Sequence, residues 1–570
     1  MIWWSILRVY SIFFYPVFWG WQKREAAPKH VEHMNDTQSR LCAFLTVGGG
    51  VQNAVGVNLG GEKMIKMITE INDAVNGVVW GIPMLVLILA TGIFMSVGLR
   101  FFQITRFKIW MNETFLAIFK KKHVTAHTGK KEKSISQFQA VSTALAATIG
   151  VGNIAGVSSA LIVGGAGTVF WMWISALFGM MTSFSENVLG IYYRRKNIKG
   201  EWSGGAMYYL RDGLGGRKNC KLLGRILAAL FALFCMLASF GIGNMTQVHE
   251  ITSSLMDGFH LPETVFGISL PLIIGILLAI VASLVILGGI KSIGNVTEKI
   301  VPFMAGMYIL GTLFILIMNI KAVPDVFGAI FKSAFGLQAV AGATVGLLIK
   351  NAVTLGFKRG IFSNEAGLGS SVMVNSASNV KEPVVQGMWG IFEVFFDTII
   401  VCTLTAFAVL SSGLINLETG EALTGATGAS LVSEALSRGI GEYAGIFVAI
   451  AIVLFAFSTV LGWSFYGTKA CEYLFGTKAT LVYKMAFIVC IVFGATMSFE
   501  LAWNIADTLN GLMAIPNLIG VLALSGTVFA VTKNYLARKV KRTDTKLKPM
   551  LSAFEEIQRE QEGELAREEE

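Results

Sequence analysis

The residues of this chain that could do chemistry are few, and they lie inside apolar runs. Gly150-Val-Gly-Asn153 sits in the middle of Thr143-Ala-Leu-Ala-Ala-Thr-Ile-Gly-Val-Gly-Asn-Ile-Ala-Gly-Val157, within an apolar run long enough to cross a bilayer. Two glycines and an asparagine in four residues make poor helix. Backbone at membrane depth leaves the helix only where protein or a wet cavity satisfies its N–H and C=O groups. A break there offers N–H groups to an anion and C=O groups to a cation. A second such segment is Lys358-Arg-Gly-Ile-Phe-Ser-Asn-Glu-Ala-Gly-Leu-Gly-Ser370. The bland alternative for the first is close helix packing, since Gly152 and Gly156 form a small-xxx-small pair. It is not a dinucleotide loop, because no strand precedes it and the spacing is wrong.

Ser458 and Thr459 lie in a later apolar run. Hydroxyls in a span usually bond back to their own helix. Beside a broken helix they become candidate sodium ligands, because sodium takes hard oxygen donors. Glu186, Glu365, Glu393, Asp397 and Asp507 also fall in apolar runs. Ionisable groups at that depth are costly and point to function by default. For Asp397 the expectation is a coupling or gating role. Glu365 is either a second such group or, with Lys358 and Arg359 close in sequence, half of a buried pair that pins the broken helix. Phe170-Trp-Met-Trp173 reads as an interface belt. The six cysteines are scattered without CxxC or metal spacing, and no HExxH or GxSxG occurs, so an enzyme is not expected.

The elements that must position these groups follow from composition. The 570 residues are 54% hydrophobic and 14% charged, against about a quarter charged for a soluble domain. The apolar residues form many long runs, so the chain reads as an all-α polytopic membrane protein in the plasma membrane. The net charge of +10 is no nucleic-acid signal, because Lys and Arg crowd short loops between spans, as on a cytoplasmic face. About eleven spans are expected, near 76–99, 137–163, 168–193, 221–248, 263–288, 298–320, 337–377, 385–412, 443–467, 480–498 and 504–531. Two spans separate the basic loops 100–133 and 193–220, so both fall on one side, and by parity the C-terminus is cytoplasmic. Spans 2–6 and 7–11 form two groups of five, each opening with a glycine-broken helix, and the odd number inverts the second group. Three regions are expected: an N-terminal extension, 1–63, a transporter domain, 64–535, and a charged cytoplasmic tail, 536–570. The apolar Met1–Gln22 reads as a signal anchor or as translation from an upstream start, with Met64 or Met67 the working initiator.

Several motifs together resemble the alanine or glycine:cation symporter family, the sodium:alanine symporters. They are the first break, Gly164-Gly-Ala-Gly-Thr-Val-Phe-Trp-Met-Trp-Ile-Ser-Ala-Leu-Phe-Gly179, Gly204-Gly-Ala-Met-Tyr-Tyr209, Gly241-Ile-Gly-Asn244, Arg359–Ser370, Asp397-Thr398, Ser458-Thr-Val-Leu-Gly-Trp463 and Trp503-Asn-Ile-Ala-Asp-Thr-Leu-Asn-Gly511. The resemblance covers about 64–535. Ala166 and Ala206 depart from it, standing where the family commonly has proline. It implies eleven helices, ten of them in a leucine-transporter-like 5+5 inverted repeat with two broken helices. It implies sodium-coupled import of alanine or glycine by alternating access, with D-alanine also a possible substrate, Na+ co-transported and no cofactor. The roles it suggests are as follows. Val151 and Gly152 offer N–H groups to the substrate carboxylate, with Thr148 and Asn153 nearby. Carbonyls of Ala146 and Ile149 and hydroxyls of Ser458 and Thr459 hold sodium. Asn364, Ala366 and Gly367 take the ammonium, and Phe240 and Trp463 limit side-chain size. Proton coupling through Asp397 or Glu365 is the alternative within the class. An ion channel lacks a filter-like repeat, and the oligomeric state is not readable.

Overall fold

A computed structural model describes residues 59–129, 132–336, 343–417, 421–496, 500–544 and 546–569. The chain divides into two compact units, residues 1–74 and 75–570. Of the first, only the start of the helix Leu59–Val79 is described, and Met1–Gln22 lies outside the described residues.

The second unit is almost wholly helical. Each expected span falls on a helix. Among the described residues seven helices are long and apolar enough to cross a membrane, and the bent pair Gln137–Thr148 and Gly152–Gly164 makes an eighth. Leu270–Ile286 and Thr480–Thr496 are apolar but shorter, at 17 residues each. Three expectations need adjusting. The span placed at 263–288 begins only at Leu270, because Thr264–Val265 and Ile268–Ser269 pair as a small antiparallel hairpin. The span placed at 504–531 stops at Ala523 and resumes as Ser525–Tyr535. The loop after the eighth span contains a helix, Gly428–Ile440, whose buried stripe Leu431, Val432, Ala435 and Leu436 has helical spacing.

The first break is built locally. Ser136 starts the half-helix Gln137–Thr148 with a reciprocal cap: its hydroxyl accepts from Gln139 N at 3.1 Å, and its own N–H reaches Gln139 Oε1 at 3.2 Å. Thr143 pairs with Thr297 at 2.8 Å, tying this half-helix to Gly289–Met318. At Ile149 the backbone becomes extended (φ −79°, ψ 91°) and the α-helical ladder stops. Asn153 Oδ1 then accepts the Gly150 N–H at 2.9 Å, and a wide turn, Gly152–Gly156, leads into Val157–Gly164. The two halves meet at 49°.

The second break ends Ala343–Asn364. Glu365 takes a left-handed conformation at φ 56°, and Gly367 and Gly369 follow at φ 95° and 75°. Only glycine adopts the last two without strain. Past the short helix Val372–Asn375 the chain runs as a strap held by both neighbours. Ile135 N donates to Ala377 O at 3.1 Å, and Asn379 N donates to Ile135 O at 2.8 Å. Arg194, 1% exposed, donates to the carbonyls of Ser376, Ser378 and Val380. Burial lowers its pKa to about 9, against which Glu564 of the C-terminal helix Glu555–Glu569 acts.

Candidate functional site

The two breaks face each other across the unit and are joined by one carboxylate. Asp397 lies in a wide turn, Phe395–Cys402, inside the eighth span, and is 0% exposed. Its Oδ1 accepts from Asn153 Nδ2 at 2.7 Å. Its Oδ2 accepts from Ser363 Oγ at 2.7 Å and from the Thr398 hydroxyl at 2.8 Å. Asn153 Nδ2 also reaches Ser363 Oγ at 2.9 Å. Thr398 in turn accepts from Asn364 Nδ2 at 2.9 Å, and Asn364 Oδ1 accepts the Ala366 N–H at 3.0 Å. Asp397 is thus a clamp on both breaks.

A small cavity opens beside the first break. It is lined by Thr148, Gly150, Gly152, Ile242, Gln247, Phe362, Glu365, Thr459, Trp463 and Asn510, with Ala147. It has about 20 Å³ of space for a water-sized sphere, enough for a water or two. The Val151 N–H points at Gln247 Oε1, 3.5 Å away. Asn510 is 1% exposed, and its Oδ1 has no hydrogen-bond partner among the described residues. Ser370 donates a short hydrogen bond to Glu365 Oε2.

Beside the cavity, at the end of the first half-helix, three oxygens converge. Ser458 Oγ and Thr459 Oγ1 lie 3.3 and 3.0 Å from the carbonyl oxygen of Ala146. The same hydroxyls reach Phe455 O of their own helix, Tyr443–Phe475, at 2.8 and 3.0 Å. Both hydroxyls thus bond back to their own helix, as expected of hydroxyls in a span, and also reach across to the first half-helix. Close packing fixes the geometry. A Cβ on Gly150 would come within 2.7 Å of Thr459 Oγ1 and 3.3 Å of Gln247 Oε1, and one on Gly462 within 2.6 Å of Ala147 Cβ.

Of the residues singled out from the sequence, Thr148, Gly152, Glu365, Thr459 and Trp463 meet at this cavity. Val151 borders it through its N–H, and Ala146, Ile149 and Ser458 sit just behind. Asn153 and Asn364 turn away into the Asp397 clamp, and the Gly367 carbonyl accepts from Asn517 at 2.8 Å. The Ala366 N–H is spent on Asn364. Phe240 packs on Tyr483 and Phe487 instead of the cavity, whose aromatic and aliphatic walls are Phe362, Trp463 and Ile242. Lys358 pairs with Asp507 at 2.9 Å, not with Glu365. The reason is local: Glu365 is the first residue beyond the helix, and its positive φ swings it off the helix face that carries Lys358. Glu186 accepts from Asn517, which also accepts from Tyr209, and Glu393 accepts from Asn375 at 3.2 Å. Gln247, Phe362, Ile242 and Asn510 were not singled out. Gln247 was visible only as an amide inside an apolar run, and Asn510 only as part of the motif Trp503–Gly511.

Gly150→Ala is expected to leave the fold intact and, if the Thr459 hydroxyl holds sodium, to lower sodium affinity by about an order of magnitude, because the new methyl group displaces that hydroxyl. Thermal stabilisation by added sodium checks this. An unchanged sodium titration would contradict it.

Comparison with known proteins agrees with this architecture. A profile of the sodium:alanine symporter family matches residues 65–549. The sodium/alanine symporter AgcS of Methanococcus maripaludis is 47% identical over 463 residues, covering 81% of this chain and 96% of that protein. The amino-acid carrier protein AlsT of Bacillus subtilis is 35% identical over 453 residues, covering 79% and 90%. Among solved structures, MhsT in complex with L-phenylalanine aligns with a TM-score of 0.50 at 15% identity, over 72% of this chain and 95% of that one. The fold is the leucine-transporter-like one.

Proposed function

The chain belongs to the sodium:alanine symporter family, and on that premise we propose that it imports small neutral amino acids, alanine or glycine, with sodium by alternating access. The observation that carries this reading is the meeting of Ala146 O, Ser458 Oγ and Thr459 Oγ1 directly behind the half-helix whose broken end borders the cavity.

Each hydroxyl has two acceptors in reach, Ala146 O and, at 2.8 and 3.0 Å, Phe455 O of its own helix, and sodium beside Ala146 O would turn both protons to Phe455 O. With the protons turned there, both hydroxyl oxygens present lone pairs beside the Ala146 carbonyl, a hard-oxygen set suited to sodium. The extended backbone at Ile149 brings a further carbonyl to the end of the same half-helix. The N–H groups of Val151 and Gly152, at the start of the second half, take the substrate carboxylate. Gln247 Oε1 holds the Val151 position with a neutral acceptor until a carboxylate displaces it. The ammonium goes to Asn510 Oδ1, a buried acceptor without a partner among the described residues, with the Glu365 carboxyl lining the same cavity. Phe362, Trp463 and Ile242 are the apolar walls that a substrate side chain would meet.

Coupling follows from continuity of the backbone. Sodium on Ala146 O orders the end of the half-helix, and the N–H groups that hold the carboxylate begin five residues later. Each ligand then favours the same closed state. Sodium entering down about 100 mV contributes about 2.3 kcal/mol, and about 1.4 kcal/mol is a tenfold substrate gradient. Glu365 on the cavity wall favours a second reading, in which a proton replaces or accompanies sodium.

Equilibrium binding of labelled alanine to the purified protein, titrated with sodium, tests the reading. Sodium raises alanine affinity, and alanine raises sodium affinity by the same factor. Alanine binding indifferent to sodium at fixed pH would reject it. Asn510→Ala is expected to raise the alanine KM roughly 10- to 100-fold, the effect of one hydrogen bond to a charged group, with little change in apparent sodium affinity.

A further inference from the structure

A second cavity, of about 400 Å³, lies on the face that carries the basic loops, where it is walled by Arg195, Arg211, Asp212, Lys221, Arg225 and Phe554. Four cations surround it, and one carboxylate answers them. Asp212 Oδ2 lies 2.9 Å from Arg195 Nε and 2.9 Å from Arg211 Nη2. Lys221 and Arg225 have no acidic partner within ion-pair distance among the described residues. They stand four apart in the first turns of the helix Lys221–Phe240 and so share one of its faces. Around them Leu222, Leu223 and Ile226 are 71%, 48% and 48% exposed, the beginning of the apolar surface that this span turns to lipid. The cavity therefore sits where a basic loop meets the membrane surface.

We infer that this cavity binds the head group of an anionic glycerophospholipid. The charge excess asks for an anion, and guanidinium forks suit phosphate oxygens. Leu222 and Ile226, next in sequence to Lys221 and Arg225, offer exposed apolar surface for the acyl chains. Basic pockets beside membrane helices bind anionic head groups by this chemistry. The far wall is Phe554, whose ring lies 4.1 Å from the Arg195 guanidinium. It belongs to a segment beyond the family match of 65–549, so the site is partly made by this chain's own tail.

The test is native mass spectrometry of the full chain released from phosphatidylcholine nanodiscs doped with phosphatidylglycerol. Phosphatidylglycerol is expected to remain bound in preference to phosphatidylcholine. Lys221→Gln/Arg225→Gln is expected to weaken its retention roughly 30-fold, about tenfold or less per charge at a membrane surface. Arg225→Lys, which keeps the charge and loses the fork, falls between. Lys120→Gln/Lys122→Gln removes equal charge from the other basic loop and is expected to change nothing. Retention equal in the 221/225 variant, or lost equally in the 120/122 variant, would overturn the site. Inorganic phosphate binding as tightly as phosphatidylglycerol would overturn the lipid as its occupant. Sodium-dependent alanine binding serves as the folding control, and the lipid result does not depend on it.

Discussion

Replacing Ser458 and Thr459 together by alanine is expected to abolish sodium-driven amino-acid uptake while leaving a folded protein. Both side chains are buried, at 0% and 3% exposure, and both hydroxyls approach the Ala146 carbonyl. Phe455 O lies inside the helix Tyr443–Phe475 and keeps its ladder bond, whereas Ala146 O, at the end of its half-helix where the Gly150 N–H goes to Asn153, loses both hydroxyl partners. The stability cost is therefore about 1 kcal/mol for each lost hydrogen bond plus about 1–3 kcal/mol for one stranded carbonyl. The cost to sodium is larger. A contact to a charged group counts about 1.5–3 kcal/mol, so losing two weakens sodium binding by roughly 10² to 10⁴. Uptake at physiological sodium then falls to background, and alanine affinity loses its sodium dependence. The measurement is the sodium concentration giving half-maximal uptake in wild type and in each single variant. Single variants that keep the wild-type value would move the ion away from this helix.

The second large effect is expected at Asp397. Its carboxylate receives hydrogen bonds from Asn153, Ser363 and Thr398, and so ties the first break to the second. Asp397→Ala leaves three buried donors without this acceptor, at about 1–3 kcal/mol each, and is expected to unfold or grossly destabilise the protein. Asp397→Asn is the informative change. It keeps the volume but sets an NH₂ group against either the Asn153 donor or the Ser363 and Thr398 donors, so one of the two breaks loses its acceptor. Uptake is expected to fall at least 100-fold, to the same extent from pH 5 to pH 8, with a lowered melting temperature. A proton-coupling carboxylate behaves differently: its Asn variant keeps its stability and loses only the response to a proton gradient. Full stability together with selective loss of proton drive would make Asp397 a coupling group instead of a clamp.

What the sequence disclosed, and what it hid, divides along physical lines. The helix breaks were legible because Gly150, Gly152, Gly367 and Gly369 are costly in a helix and the last two need φ values that only glycine takes freely. Ser458 and Thr459 were legible as hydroxyls to set beside the first break, and both do reach its Ala146 carbonyl. The motif resemblance to the sodium:alanine symporters stood up, and so did the helix order. Partnerships were not legible. Asn153 and Asp397 are 244 residues apart, and nothing local to either says that they meet. Lys358, Arg359 and Glu365 are neighbours in sequence, yet one left-handed residue separates them in space. Gln247 is a single amide with no motif of its own, and Asn510, though inside the motif Trp503–Gly511, had nothing to mark it as a cavity residue. Phe240 was a reasonable wall by depth and neighbouring glycine, but the helix turns it toward Tyr483 and Phe487. Side-chain direction at a π-like turn, here Gly241–Met245, does not follow the 3.6-residue period.

The measurement that bears most directly on the account is the initial rate of labelled alanine uptake into proteoliposomes under an imposed inward sodium gradient. Potassium-gradient and pH-gradient vesicles run beside it, with the Ser458→Ala/Thr459→Ala protein in parallel. The account predicts accumulation driven by sodium, faster with the interior negative, and absent in the double variant. Accumulation driven by the pH gradient alone, with sodium without effect, would contradict it and transfer the coupling role to Glu365 on the cavity wall.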